Sequence, residues 1–284
     1  MALKLMYITN NPGVAKIAEN AGVDRIFVDM EYIGKSDRQG GMDTVQSHHN
    51  ILDVRSIRSA VTQAQVLVRI NPIHEATHAY GSSKEEIEAV LESGADILML
   101  PYFKTVDEVR FFCKTVAGRA KTILLVETPE AVSALDEILE VPGVDEIHIG
   151  LNDLSLAQGH RFLFVPLADG TVEKIGEKCK SKGIPFGFGG IASLENGALP
   201  GAYVIREHYR LGSKGAILSR SFCDVRKISD LDQIRRTFEE GVRDIRNLEK
   251  ECRTKLEDSR YFKDNQRFVA ERVQAICADM AERK

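Results

Sequence analysis

Eight short apolar runs, separated by amphipathic and helix-prone stretches, constrain the fold of this chain more than any other feature of its sequence. The runs are Leu3 to Ile8, Arg25 to Met30, Val66 to Asn71, Ile97 to Pro101, Thr122 to Glu127, Glu146 to Gly150, Pro185 to Gly189 and Gly215 to Ser219. Several are apolar at consecutive positions, which suits strands covered on both faces. Such repetition predicts parallel strands joined by helical crossovers, and eight strands predict a closed (β/α)8 TIM barrel. A doubly wound sheet would also alternate. It more often carries a Gly-rich dinucleotide turn after its first strand, where this chain has Thr9-Asn10-Asn11-Pro12-Gly13.

Helix boundaries are written in the same way. Asn11-Pro12 supplies a cap and a first-turn proline for a helix through Ala21, closed by Gly22. Ser82-Ser83-Lys84-Glu85-Glu86 opens another that stops at Gly94, and Thr128-Pro129-Glu130 repeats the device just beyond Glu127. After the eighth run, a long polar helical stretch is expected from Ser229 to about Leu256. A break follows around Asp258-Ser259-Arg260, and a second amphipathic segment runs from Phe262 to Met280. There Phe268, Val269, Val273, Ile276, Cys277 and Met280 share one helical face. That stripe has two candidate partners, its own barrel or a neighbouring subunit. The expected organisation is a barrel over residues 1–228, with the last barrel helix and a C-terminal helical extension over 229–284.

A hydrophobic content of 43% in 284 residues is enough for a substantial core. The formal charge of -4 provides no broad basic field, which argues against nucleic acid as a partner. Cys113, Cys179, Cys223, Cys252 and Cys277 lie far apart with no C-x-x-C pair, the pattern of reduced thiols in a cytoplasmic protein. The apolar run from Met1 to Ile8 is too short for a signal segment or a membrane span, so no membrane association is expected.

Chemistry in a barrel of this kind sits at the carboxyl ends of the strands. Four of those ends are polar where a core would not require it: Asp29-Met30-Glu31-Tyr32, Arg69-Ile70-Asn71, Glu127, and the turn Gly150-Leu151-Asn152-Asp153. Glu127 and Asp153 can supply hard oxygen ligands to Mg2+ or Mn2+, and Arg69 offers a donor fork for a substrate carboxylate. Together these describe a site for a 2-oxo acid, with a divalent cation as Lewis acid. Each residue alone also fits a structural role. Asp29 could cap the next segment or pair with a lysine, Arg69 could hold an ion pair in the barrel mouth, and Glu127 could cap its own helix. The glycines of Phe186-Gly187-Phe188-Gly189-Gly190 could cradle phosphate after the seventh strand or relieve crowding at a turn, the turn being slightly favoured. His148 reads as a core histidine within its strand.

The chain resembles the HpcH/HpaI aldolase and citrate lyase β-subunit family over roughly residues 1 to 225. The resemblance is carried by Phe27-Val28-Asp29-Met30-Glu31, Val68-Arg69-Ile70-Asn71, Gly94 to Pro101, Val126-Glu127-Thr128-Pro129-Glu130-Ala131 and Gly150 to Ser155. It implies metal binding by Glu127 and Asp153 and carboxylate binding by Arg69. It also implies an acidic role near the metal for Glu31, with Asp29 beside it, and backbone donors from Gly150, Leu151, Asn152 and Asp153. Trimeric or hexameric assembly is implied too, with the C-terminal helices packing on neighbours.

The chain departs from the family's aldolases at Tyr32, which stands where they carry a histidine. A phenol with a pKa near about 10 is a poor base at neutral pH. His48 and His49 are candidates to replace it, and Lys35 and Arg38 are candidates for an anionic substrate end. The expected activity is metal-dependent carbon–carbon lysis or aldol formation on a 2-oxo acid, with an aldehyde or acyl-CoA as the other partner. Two alternatives stand beside it: a citrate lyase β-subunit-like acyl-CoA lyase or thioesterase, and a non-catalytic 2-oxo acid binding protein.

Overall fold

The computed structural model describes residues 2–34, 47, 49–195 and 197–282. Its strands are β1 (Lys4–Ile8), β2 (Arg25–Asp29), β3 (Gln65–Arg69), β4 (Ile97–Leu100), β5 (Lys121–Val126), β6 (Glu146–Ile149), β7 (Phe186–Ile191) and β8 (Gly215–Leu218). They follow one another in chain order around a closed barrel, as the alternating pattern predicts. Consecutive apolar residues form such strands because both faces are covered: β2 and β4 are buried at every position.

The first helices are α1 (Pro12–Asn20), α2 (Ile51–Ala60), α3 (Ser83–Glu92), α4 (Val106–Val116), α5 (Pro129–Ser133) and α6 (Leu135–Ile138). Then come α7 (Leu151–Ala157), α8 (Val165–Ala168), α9 (Thr171–Ser181) and α10 (Gly201–Leu211), with α11 (Leu231–Thr254) and α12 (Ser259–Glu282) after β8. Asn11 caps α1 by accepting the Gly13 and Val14 N–H groups at 2.9 and 3.1 Å. Ser82 and Glu85 form a reciprocal capping box on α3. Thr128 caps α5 by accepting the Ala131 N–H at 3.1 Å. Each such cap is worth about 1 kcal/mol and fixes where a helix leaves its strand. Among the described residues, no helix is long and apolar enough to cross a membrane.

The chain divides into two compact units, Met6–Ile147 and the combination of Met1–Leu5 with His148–Lys284. In the first, Phe27, Phe103 and Phe112 are among the largest fully buried side chains, each contributing about 1.5–3 kcal/mol through burial. Carboxylates tie the starts of its strands. Asp96 accepts the Val66 N–H at 2.8 Å and a bond from Arg58 at 2.7 Å. Arg25, only 3% exposed, makes a bidentate pair with Glu146 at 2.7 and 2.6 Å.

In the second unit, α10 packs against both α11 and α12. Phe262, Val269 and Val273 of α12 are buried, and Phe268 stacks on Tyr203 of α10 with ring centroids 3.9 Å apart. Part of the predicted apolar stripe thus lies against its own chain, while Ile276, Cys277 and Met280 are half-buried. Glu249 of α11 is fully buried and accepts the Leu3 N–H at 2.7 Å, the Tyr209 hydroxyl at 3.1 Å and Arg246 at 2.8 Å.

The glycines expected after the seventh strand lie inside it, which corrects the reading of a turn or cradle there. A Cβ at Gly187 would run into the Gly215 carbonyl oxygen, and one at Gly189, whose φ is +52°, would stand 2.7 Å from Leu151 Cδ1. Close approach of backbone and helix, together with a register shift between Gly187 and Gly190 opposite β8, explains these residues.

Candidate active site

Register sets the first contact of the site. Asp29 and Arg69 are partners in the parallel β2–β3 ladder, so their side chains emerge side by side at the strand ends. Arg69 Nε donates to Asp29 Oδ1 and Nη2 to Oδ2, both at 2.8 Å. Its third nitrogen, Nη1, lies 3.2 Å from Glu31 Oε2. Below the guanidinium lies the Phe27 ring, whose centroid is 5.6 Å from Arg69 Cζ, the cation–π arrangement. Asp29, Glu31 and Glu127 are each no more than 3% exposed. Burial opposes the Arg69 charge, but Asp29, Glu31 and Glu127 outweigh it and leave the pKa raised, so the group is a permanent cation. A guanidinium has five N–H donors; with three directed at Asp29 and Glu31, the remaining N–H vectors on Nη1 and Nη2 suit a carboxylate.

Two of the structural alternatives take definite form here. Asp29 pairs with Arg69. Glu127 does not cap α5, because Thr128 does. Instead Glu127 Oε1 accepts the Tyr102 N–H at 2.9 Å, and Thr128 Oγ1 donates to the Phe103 carbonyl at 2.8 Å. The turn after β4 is thereby clamped to the end of β5, with Tyr102 in the left-handed region at φ +48°. A non-glycine residue held there stores backbone strain, here in a turn that aims an amide at a buried carboxylate.

Around the β2 end, His49 Nδ1 accepts the Asp29 N–H at 3.0 Å, which places the proton of a neutral ring on Nε2. His49 is thereby tied to the Asp29 backbone. Tyr32 is 49% exposed and edge-on to Tyr80. Burial, Glu86 and Tyr80 raise the pKa of its phenol, away from any role as a base at neutral pH. Lys35, Arg38 and His48 lie outside the described residues.

Gly150 occupies the N-cap position of α7 without a side-chain cap. Asp153 stands in the first turn of that helix, where Asn152 Nδ2 donates to its Oδ1 at 3.1 Å. Leu151 is buried, beside Gly189. His148 is buried in β6, as a core histidine should be. Among the described residues, no group of three or more His, Cys, Asp or Glu side chains is arranged to hold a metal ion. Glu127 and Asp153 are each hard oxygen donors of the kind Mg2+ takes, Glu127 on a buried and clamped strand end. In the sequence Asn71 stands only as part of the polar end Arg69-Ile70-Asn71 and Glu86 only as a helix-opening residue, neither with a role of its own, and Tyr102 gives no signal. Asn71 closes the third apolar run, and that polar ending was the only signal available.

A model of the HpcH/HpaI aldolase/citrate lyase family matches residues 4–163. A hydroxypyruvate/pyruvate aldolase of Roseovarius nubinhibens is 23% identical over an alignment of 162 residues that covers 53% of this chain and 62% of that enzyme. The chain therefore spans less than two thirds of that relative's length. A solved HpcH/HpaI aldolase/citrate lyase family protein from Burkholderia cenocepacia superposes with a TM-score of 0.61 at 16% identity, covering 82% of this chain and 95% of that one. A citrate lyase β subunit from M. tuberculosis, complexed with oxaloacetate and magnesium, superposes with a TM-score of 0.55 at 16% identity, covering 84% and 97%.

Proposed function

The chain belongs to the HpcH/HpaI aldolase/citrate lyase family, and from that premise we propose that it is a metal-dependent carbon–carbon lyase. It would make or break the bond to the enolate of pyruvate or another 2-oxo acid, in the manner of a class II aldolase. The observation that carries this reading is Arg69, held cationic between Asp29 and Glu31 at the strand ends with Glu127 in the same field. The pyruvate aldolase relative and the oxaloacetate and magnesium bound to the citrate lyase β subunit support the substrate class and the cation.

In this proposal Arg69 orients the substrate carboxylate through its remaining N–H donors, and Asp29 keeps the guanidinium plane fixed while it does so. Glu31 is the acidic group beside that carboxylate. Backbone donors of the Gly150-Leu151-Asn152-Asp153 turn complete the oxo-acid subsite. Glu127 and Asp153 hold Mg2+ or Mn2+, whose chemistry when bound is Lewis-acid stabilisation of negative charge at the keto oxygen. No lysine Schiff base is required. Borohydride reduction in the presence of pyruvate should then leave the protein unmodified, while chelation abolishes turnover and Mg2+ restores it. A reduced adduct together with chelator-resistant turnover would defeat the mechanism.

Tyr32 favours a second reading, an acyl-CoA lyase or thioesterase like the citrate lyase β subunit, because it removes the usual aldolase histidine. Turnover of acyl-CoA thioesters but of no aldehyde adduct would select it. Metal-dependent oxo-acid binding without any cleavage would select the non-catalytic alternative. The same proposal takes the protein as a cytoplasmic homo-oligomer, with the half-buried end of α12 at a subunit contact; sedimentation velocity should return a trimer or hexamer, and a monomer would remove that part.

A further inference from the structure

The segment that carries Glu31 is held by a side chain from the next strand end. Asn71 Oδ1 accepts two successive backbone donors, the Tyr32 N–H at 2.9 Å and the Ile33 N–H at 3.0 Å. The Glu31 N–H is directed at Asp29 Oδ1 at 3.3 Å, so three consecutive amides rest on side-chain acceptors. Asn71 is itself 3% exposed and oriented from behind. Its Nδ2 donates to Glu86 Oε1 at 2.8 Å, and its backbone N–H faces both oxygens of the same carboxylate at 3.2 and 3.3 Å. The polarity of this relay is fixed, because an ionised carboxylate only accepts and a backbone N–H only donates. Glu86 sits in the first turn of α3, which the Ser82–Glu85 capping box anchors. Burial raises the Glu86 pKa and the Asn71 bonds lower it again, so placing a carboxylate here has a cost that those bonds partly offset.

We propose that Asn71 and Glu86 are positioning residues, which lock the backbone of residues 31–33 so that the Glu31 carboxylate stays against Arg69. A buried Asn–Glu pair is a poor choice if filling space were the only need, since apolar side chains would serve at lower cost. What the pair supplies is direction: it sets the plane in which Tyr32 and Ile33 present their amides, and so the exit of the chain from Glu31. The consequence for turnover rests on the lyase reading above; the locking itself does not.

The test compares Asn71→Leu, Asn71→Asp and the double variant N71D/E86Q. In the double variant donor and acceptor exchange places at constant charge: the carboxylate introduced by N71D accepts both backbone amides, and the carboxamide introduced by E86Q donates to it. Hydrogen exchange of the Tyr32 and Ile33 amides should quicken at least about tenfold in N71L and N71D and return to within about threefold of the parent in N71D/E86Q. Turnover should fall about tenfold with KM for the 2-oxo acid within about threefold, and the double variant should recover it. In a Glu31→Gln background N71L should cost little further turnover, because the two changes interrupt one device. Unchanged exchange in N71L, or losses that add fully to that of E31Q, would overturn the proposal. Should N71L fail to fold, N71D against N71D/E86Q gives the same comparison at nearly constant bulk. If no substrate turns over even with the parent protein, the lyase reading falls, and exchange with its rescue decides the locking alone.

Discussion

Arg69 serves several partners at once. Its bidentate bond to Asp29 and its contact with Glu31 place a cation and two carboxylates together at low exposure. Removing one member of such a group leaves uncompensated buried charge, which costs about 3–5 kcal/mol. Arg69→Met should therefore lower unfolding free energy by roughly that amount in urea titration. Arg69→Lys should stay closer to the parent in stability yet lose more than about tenfold in oxo-acid affinity, because a point charge cannot span two acceptors and a substrate at once. Equal stability in parent and methionine variant would show that the ion pair is not closed in solution. His208 makes a different prediction. It is fully buried, stacked on Phe188 with centroids 3.7 Å apart, with Nδ1 2.8 Å from Ser213 Oγ. Burial and His148 push its pKa from 6.5 down to about 3. The folded state thus refuses a proton that the unfolded chain takes up near pH 6.5. Stability from this group is complete above that pH and lost as pH falls toward the folded value, at up to about 1.4 kcal/mol per unit. Between pH 7 and 5 the parent should lose roughly 2 kcal/mol more than His208→Asn; parallel losses would refute the assignment.

Strands and caps were readable because they are periodic or local: apolar runs betray β2 and β4, and Asn11, Ser82 and Thr128 announce their helices within three residues. The Asp29–Arg69 pair was half readable, since both residues end apolar runs but only the β2–β3 register makes them neighbours. The Asn71–Glu86 and Tyr102–Glu127 bonds were not readable, because they join residues 15 and 25 positions apart with no periodic pattern between them. Nor could Gly187, where the Gly215 carbonyl leaves no room for a side chain, be told from a glycine of a turn. Long-range ties of this kind also decide how elements hold together. Glu249 anchors α11 to the chain start by accepting the Leu3 N–H. Glu249→Leu should leave that donor and its companions unpaired, at about 1–3 kcal/mol for each group kept from water. The expected readout is a lower urea midpoint, with faster exchange at Leu3. A variant with the parent's midpoint and exchange would show that water replaces the carboxylate without loss.

For the molecule as a whole, the proposed function makes cation, oxo acid and stability one linked quantity. A ligand that binds only the folded state stabilises it by RT ln(1 + [L]/Kd), about 2.7 kcal/mol at a hundred times Kd. On that proposal oxalate, as a planar dicarboxylate that resembles an enolised 2-oxo acid, would need both the Arg69 donors and a cation at Glu127 and Asp153. Mg2+ and oxalate together should then raise the melting temperature more than the sum of either alone, since each completes the coordination the other requires. Glu127→Gln and Asp153→Asn should each remove the cooperative part while leaving the melting temperature without ligands nearly unchanged for Asp153→Asn. Glu127→Gln should shift that baseline, because the Tyr102 amide loses a charged acceptor inside the fold. Arg69→Lys should retain the response to Mg2+ alone and lose the response to the pair. Additive responses that persist in all three variants would mean that these strand ends bind neither component, whatever reaction the protein performs.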